Sequence, residues 1–442
     1  MTAEDGVRSR VAAAKVAARV LAGVPTEAKN RALRAAAGRI ESDATAILEA
    51  NAADVSEARA LVDAGALAWS LVDRLVLDAA KVRAMADGVR AVAALPDPSG
   101  RLLEKTLLDD GLVLEKVTCP LGVLAVVFES RPDAVPQIGA LALKSGNAAL
   151  LKGGRESARS ASAILSAIRS GLSEVPEIPQ DTLQLLSTRE EVEALLSLDS
   201  EIDLVIPRGG ADLVRHVRSH TRIPVLGHAE GVCHVYIDRA ADPQKAIAIA
   251  VDSKTTYPAA CNSAETLLIH HEAAARSLKP LVEALRAKGV EIRACERTRA
   301  LAPELGLAEA SEDDFGREFG ALILAVRTVE SLDEAIAHVN RFGSRHTDAI
   351  VTEDHSAADR FLAEVDAAGV YVNASTRFAD GFRYGFGAEV GVSTSKLHAR
   401  GPVGLEGLVT YKYRLRGDGH VVATYTGNNA RPFRHVRLDP GR

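Results

Sequence analysis

The chain has 442 residues, 47 % of them hydrophobic and 25 % charged, with a formal net charge of −6. That length holds two or three domains with cores of their own, and the balance is ordinary for a soluble globular fold. The charge excludes the basic footprint of a nucleic-acid binder or an anionic-membrane binder, and no apolar run reaches the length that spans a bilayer.

Four widely spaced cysteines, Cys119, Cys233, Cys261 and Cys295, form no CxxC pair. That spacing argues against a metal site or a disulfide framework and for a reducing compartment. The opening MTAEDGVRSR lacks the basic-then-apolar order of a secretory signal, so the expectation is a cytoplasmic protein.

Residues 1 to 98 are rich in Ala, Arg, Leu and Glu. Apolar positions recur at three and four (Val11, Ala14, Val16, Val20, Leu21, then Leu33, Ala36, Ile40), which predicts amphipathic helices. Asp97-Pro98-Ser99-Gly100 breaks the pattern, and Leu102 to Lys116 alternates around Asp109-Asp110-Gly111 as a β-hairpin. From Val117 the texture becomes strand–helix alternation. Strands are expected at Val123–Glu129, Asn147–Gly153, Thr182–Leu186 and Ile202–Pro207, with helices at Ala134–Leu143 and Glu156–Ser170.

A second series follows Cys261, with strands at Ala264–Ile269, Val290–Ala294, Ala321–Val326, Asp348–Thr352 and Gly369–Asn373. Helices separate them, from Ala273 to Lys288, from Leu332 to Val339 and from Ser356. Short apolar strands between helices mean parallel α/β architecture. The tail from Leu408 alternates again, with a turn at Gly417-Asp418-Gly419, and is expected to form a second hairpin. Two such segments at distant positions could pair with each other or with another subunit and hide sheet edges.

Cys261 is the residue that carries most chemistry. It lies in SKTTYPAACNSAETLLIH, after a Tyr-Pro break and before a buried strand, where a thiolate could attack an acyl group while its own N–H and Asn262 hold the oxyanion. A buried structural thiol is the other reading, and it is the one given to Cys119, Cys233 and Cys295. Gly209 and Gly210, between a strand and a helix, let phosphates approach the backbone or simply make a tight turn. Lys152, Gly153, Gly154 and Arg155 close another strand where nucleotides bind in open sheets; two cations there suit a 2′-phosphate, or form a solvated basic loop. Arg131, in FESRPDAVPQ, could clamp a phosphate or carboxylate, or pair with Asp133. GSRHTDAI and STSKLHARGP crowd Arg345, His346 and Asp348, then Lys396, His398 and Arg400, onto polar loops.

These strings together resemble the aldehyde dehydrogenase superfamily over essentially the whole length, and specifically its glutamyl-phosphate-reducing branch. FESRPD, LKGG, VIPRGG, TTYPAACNSAETLLIH, VNRFGSRHTDAI and the run from VNASTRF to GPVGLEGL carry the resemblance in their order; Phe342 stands where a His or Tyr is expected. The resemblance implies a Rossmann-like cofactor domain (1–98 and 118–232), an α/β catalytic domain (233–405) and a small β oligomerisation arm (99–117 and 406–428). It makes Cys261 the nucleophile, places Lys152 on the adenosine ribose, puts Arg155 where NAD-preferring relatives carry a Glu, and gives Glu318 to the nicotinamide ribose. The cofactor implied is NADP(H).

The resemblance further implies that Arg131 replaces the oxyanion Asn of hydrolytic relatives. Their general-base Glu is absent, with Gly227 nearest, which suits a thioester protected from water. The implied reaction is NADPH-dependent reduction of L-glutamyl 5-phosphate to glutamate 5-semialdehyde and phosphate. Implied partners are that small substrate, further copies of the chain and the upstream glutamate kinase, with no nucleic acid and no membrane. For the amino-acid end, Arg345, His346 or Arg400 is expected on the α-carboxylate and Asp348 or a carbonyl on the ammonium; internal ion pairs that brace the loops are the alternative. A CoA-acylating reductase and a catalytically silent scaffold are the other readings, separable by assay of glutamyl phosphate against acyl-CoA and by NADPH turnover.

Overall fold

The computed structural model describes residues 3–67, 69–228 and 230–439. They form two compact units, Met1–Leu226 with Phe386–Gly391 and Val403–Arg442, and Gly227–Gly385 with Val392–Pro402.

The first unit opens with five helices, Ala3–Leu21, Thr26–Ser42, Ala44–Asp63, Trp69–Leu75 and Ala79–Ala94. The buried stripe of the first runs Val7, Val11, Ala14, Ala17, Leu21. Val16 and Val20, expected in that stripe, are 61 % and 49 % exposed, because about 100° per residue carries both to the far side of the face that starts at Val7.

Strands β1 (Leu102–Asp109) and β2 (Leu112–Pro120) form the expected hairpin. Next come β3 (Val123–Phe128), β4 (Ala148–Lys152), β5 (Leu183–Leu186) and β6 (Leu204–Arg208), a parallel sheet in the order β5-β4-β3-β6. Helices Ala134–Ser145, Ala158–Leu172 and Ala211–His220 follow β3, β4 and β6, so the loops between them gather at the carboxyl edge of the sheet.

The second unit is built on a seven-stranded parallel sheet. Its members are β7 (Cys233–Ile237), β8 (Ala264–His270), β9 (Glu291–Ala294), β10 (Ala308–Glu309), β11 (Ile323–Val329), β12 (Thr347–Val351) and β13 (Gly369–Val372), in the order β10-β9-β11-β8-β7-β12-β13. β7 is not among the strands the pattern picks out. Its five residues, CHVYI, mix a ring donor and a phenol into a short run, yet all five are buried. Val235, Ile237, Leu267, Ile269, Leu324 and Val326 face one apolar core of this unit, and Tyr236, Leu268 and Ile350 face a second one. A two-stranded ribbon joins β14 (Val392–Ser393) to β15 (Gly401–Pro402).

The tail departs from the hairpin expected of it. β16 (Val409–Arg416) pairs antiparallel with β2, and the chain then crosses to add β17 (Val436–Leu438) on β1, giving a four-stranded sheet in the order β16-β2-β1-β17. The buried Asp109 carboxylate draws the returning chain across, accepting from Tyr425 at 2.9 Å and from Arg431 at 2.8 Å. Among the described residues no helix is long and apolar enough to cross a membrane.

Candidate active site

In the second unit the helix Pro243–Thr255 ends just before the Tyr-Pro break. Two tight turns follow, Ala260 N–H to Tyr257 O and Ser263 N–H to Ala260 O, and they set Cys261 at the amino end of β8. Gly231 makes this approach possible, since a Cβ there would overlap the Cys261 backbone. The Gly231 N–H donates to Glu318 Oε2 at 2.9 Å, and the Cys233 thiol donates to Cys261 O at 3.3 Å. Beneath the loop, Lys254 and Glu265 form a fully buried pair at 2.5 Å. Burial pushes the Glu265 carboxyl up to about 7, and burial lowers the Lys254 ammonium. Glu265 also accepts from Gly320 N–H at 3.2 Å, which ties the segment carrying Glu318 to β8.

Asn262 is 5 % exposed and acts as a latch. Its Nδ2 donates to Ala379 O at 2.8 Å, while its own carbonyl accepts from Thr376 Oγ1 at 2.7 Å. The expectation that this amide faces an oxyanion is therefore amended: it spans to the Thr376–Ala379 turn, and the Cys261 N–H remains the oxyanion donor to consider.

His346 is the second correction. It is fully buried at the start of β12, with Nε2 3.2 Å from Cys261 Sγ and Nδ1 2.9 Å from Thr347 Oγ1. Burial, and then the neighbouring His228, hold its imidazole well below the ordinary histidine range, so it is neutral. A buried neutral ring cannot neutralise a substrate carboxylate; set against a thiol, it can take the proton. His228 meets its ring edge-on at 4.9 Å and donates from Nδ1 to Val392 O at 2.9 Å. His228, Cys261 and His346 each bring one potential ligand atom within 4.8 Å of the others, a grouping that suits a thiophilic cation, although acyl transfer needs the sulfur free.

Asp348 is likewise reassigned. It is buried and accepts from His234 at both the backbone N (2.8 Å) and Nδ1 (3.0 Å), so it braces β7 against β12 instead of meeting an ammonium. Arg345 and Arg400 do come together, with Lys396, on the single carboxylate of Asp366, at 3.6, 2.8 and 2.9 Å. Hydrogen bonds from Lys396 and then Arg400 hold Asp366 below the usual carboxylate range. Three cations on one carboxylate leave this surface with surplus positive charge.

The remaining candidates lie in the first unit, at the carboxyl edge of its sheet. Lys152 ends β4 half-buried, and burial lowers its ammonium. Arg155 is exposed at the start of a short helical turn, Arg155–Ser157, after Gly153 and Gly154. Glu156 turns away to Ser130, accepting from its N–H at 3.0 Å and from its hydroxyl. Gly210 N–H donates to Glu129 Oε2 at 2.9 Å, and a Cβ on Gly209 would overlap that carboxylate. None of the three helices that follow β3, β4 and β6 has a side-chain N-cap bond. Glycine turns and uncapped helix N-termini on one carboxyl edge fit the phosphates of a dinucleotide. Arg131, exposed after β3, lines a cavity of about 490 Å³ in this unit with Asp73, Arg74, Lys81, Asp133 and Gln137.

Residues 1–298 and 315–408 match the model of the aldehyde dehydrogenase family. A γ-glutamyl phosphate reductase from Synechococcus sp. (strain JA-3-3Ab) is 58 % identical over 98 % of this chain and 95 % of the relative. The chain belongs to the aldehyde dehydrogenase family. Within this family it stands among the γ-glutamyl phosphate reductases: another, from Methanococcoides burtonii, is 50 % identical over 98 % of this chain and 97 % of its own. The crystal structure of γ-glutamyl phosphate reductase from Thermotoga maritima matches with a TM-score of 0.90 at 41 % identity, over 94 % of this chain and 99 % of that one. An acetylating aldehyde dehydrogenase from Geobacillus thermoglucosidasius shares only the fold, at a TM-score of 0.65 and 17 % identity.

Three residues on the segments around Cys261 carry no signal in the sequence: Gly231, His228, and Arg377 on the Thr376–Ala379 turn that Asn262 holds. Gly231 and His228 lie in a stretch with no strong motif. Arg377 lies in VNASTRF, a segment the pattern singles out without naming its arginine. Nothing local marks any of the three; only their contacts do.

Proposed function

We infer that this protein reduces L-glutamyl 5-phosphate to L-glutamate 5-semialdehyde and phosphate in proline biosynthesis, with NADPH as reductant. The observation that carries the mechanism is the 3.2 Å contact between Cys261 Sγ and the neutral, buried His346. His346 takes the thiol proton as Cys261 attacks the acyl carbon. The bond to the phosphate oxygen breaks, phosphate leaves, and a thioester remains on Cys261. The nicotinamide, when bound, supplies the hydride to that acyl carbon. The Cys261 N–H would hold the oxygen of the resulting thiohemiacetal. Its collapse breaks the carbon–sulfur bond, releases the aldehyde and restores the thiolate, while the proton on His346 passes to the departing phosphate or to solvent.

The NADP preference is supported by Lys152 and Arg155 at the end of β4, with the Glu156 carboxylate engaged by Ser130. Lys152, the Gly153–Gly154 turn, Arg155 and the Gly209–Gly210 turn would hold the cofactor's phosphates, and Glu318 its nicotinamide ribose. Excess positive charge around Asp366 suits the substrate α-carboxylate, received by Arg345 or Arg400, and Arg131 is a further candidate for a substrate anion. The four-stranded arm presents β16 as an outer strand with Tyr411, Tyr413 and Leu415 exposed, which supports assembly with further copies of the chain. A cytoplasmic location and an association with the kinase that makes the labile acyl phosphate complete the reading. The deciding assay runs the reaction backwards: reduction of NADP by glutamate semialdehyde should require inorganic phosphate. Turnover with CoA in place of phosphate, or with neither, would sink the assignment.

A further inference from the structure

Arg377 is 8 % exposed, and its buried Nε has no hydrogen-bond partner. Among the described residues no carboxylate stands within ion-pair distance of its guanidinium; Asp380 and Asp252 act on it only through space. The Tyr257 ring stands 5.9 Å from Cζ to centroid and supplies no counter-charge. A guanidinium cannot shed its proton, so burying one without a partner is costly unless something outside the chain completes it.

The surroundings say where that partner binds. Arg377 lies in the short helix Thr376–Phe378, and this turn is clamped to the residue after the nucleophile from both sides, Thr376 Oγ1 to Asn262 O and Asn262 Nδ2 to Ala379 O. The backbone N–H of Thr376 is also held, by Ser253 Oγ at 3.2 Å. Arg377 is thereby fixed on a turn tied from both sides to the residue that follows Cys261. Arg383 comes up behind and donates to the Arg377 carbonyl at 2.7 Å, adding a second positive charge and removing none.

We propose that Arg377 forms the phosphate subsite of the active site: its guanidinium receives the phosphate that leaves the acyl carbon and holds inorganic phosphate for the reverse step. The inference rests on the acyl-phosphate reading above. In glutamyl 5-phosphate the phosphate is joined through one oxygen to the carbon that Cys261 attacks, whereas the α-carboxylate carbon lies four carbons further along the chain. An arginine latched to Asn262 therefore meets the phosphate, and the Arg345–Lys396–Arg400 surface is left for the far end. The planar fork of the guanidinium suits two phosphate oxygens, and its charge offsets the one that builds on the leaving group.

The test is steady-state kinetics of NADP reduction by glutamate semialdehyde with phosphate varied, on wild-type protein and Arg377→Met. The expected result is a phosphate KM raised by about 10- to 100-fold, the scale of a lost charge-assisted hydrogen bond, with the KM values for glutamate semialdehyde and NADP within about two-fold of wild type. Guanidinium ion added to Arg377→Met should restore part of the activity. Should that variant fail to fold, Arg377→Gln, which keeps two donors but no charge, carries the same expectation. A wild-type enzyme that needs phosphate, with an unchanged phosphate KM in both variants, overturns the subsite alone. So does a rise confined to glutamate semialdehyde, which would give Arg377 to the α-carboxylate. A wild-type enzyme indifferent to phosphate overturns the acyl-phosphate reading and the subsite together.

Discussion

The two parallel sheets carry their candidate functional loops on opposite edges. In the first unit Glu129–Arg131, Lys152–Arg155 and Gly209–Gly210 follow β3, β4 and β6 at the carboxyl edge, where helices begin. In the second unit Gly231, Cys261, Glu318 and His346 precede β7, β8, β11 and β12 at the amino edge, where helices end. The helix N-termini show the same division. Those after β3, β4 and β6 lack side-chain caps, whereas those after β7, β8, β11 and β12 are closed by Asp242, His270, Ser331 and Asp354. The helices after β3, β4 and β6 thus have no side-chain N-cap, although Glu129 takes the Gly210 N–H and Thr188 caps the helix Arg189–Leu196 that follows β5, whereas the second edge closes its helices with its own side chains. A thiolate at an amino edge receives no help from helix dipoles, whose negative ends lie there. Any activation has to come from individual side chains, and His346 Nε2 lies 3.2 Å from the sulfur.

The largest effect expected is at Cys261. Replacing it with Ala should lower turnover by roughly 10⁴-fold or more while the protein stays folded and binds NADPH. Fluorescence titration and circular dichroism check the second half of that statement; substantial turnover in Cys261→Ala would remove the amino-edge site altogether.

His346→Gln comes next. Loss of the base should cost about 10²- to 10³-fold in kcat, and iodoacetamide alkylation of Cys261 should slow across its pH profile. A merely structural histidine would change the melting temperature and leave the alkylation profile where it was.

At the other edge, Arg155→Glu should weaken NADPH about 10-fold or more relative to NADH, because a carboxylate repels a 2′-phosphate and can accept from a free ribose hydroxyl. Equal specificity constants for both cofactors in the wild type would separate the uncapped carboxyl edge from NADP preference.

A further effect, outside turnover, is on stability. Burial first, then the charges of His234, Arg327 and Arg341, take His338 down to about 2, and His346 is likewise held well below its ordinary value. Both pKa values are depressed in the folded state. Below about pH 6.5 the unfolded chain therefore binds protons that the native chain refuses, and stability present above that pH is lost as the pH falls. Urea unfolding should register about 2–3 kcal/mol of loss between pH 7.5 and 5.5, with His346→Gln removing about half of it. A flat profile over that window would mean that these rings gain protons in the native state.

Much of this could be read without coordinates. The parallel α/β texture follows from short apolar strands between amphipathic helices, and the hairpin at Leu102–Lys116 from its alternation and its Gly111 turn. Cys261 stands out by its Tyr-Pro break and following strand. The tail alternates as well beside β2 as it would in a hairpin of its own, and the later residues are held on the far side of β1 by Asp109, by the Arg434 N–H on Leu108 O and by the β1–β17 pairing, all of them distant in sequence. Val16 and Val20 were placed in a stripe by their apolar character, although their angle puts them on the opposite face.

What the sequence determined by itself is the set of local decisions: which segments are helix or strand, which residue types sit on loops, and that one cysteine is offered ahead of a buried strand. These depend on the propensity and periodicity of a few neighbouring residues. The tertiary structure alone decided that His346, 85 positions from Cys261 in the chain, meets its sulfur instead of a carboxylate. It also decided that Asn262 latches the Arg377 turn, that Asp348 belongs to the core, and that Gly231 admits the Cys261 backbone. Each of these depends on which strands lie side by side and which groups burial strips of water. Adjacency across a sheet and desolvation are properties of the packed molecule, and no window of sequence contains them.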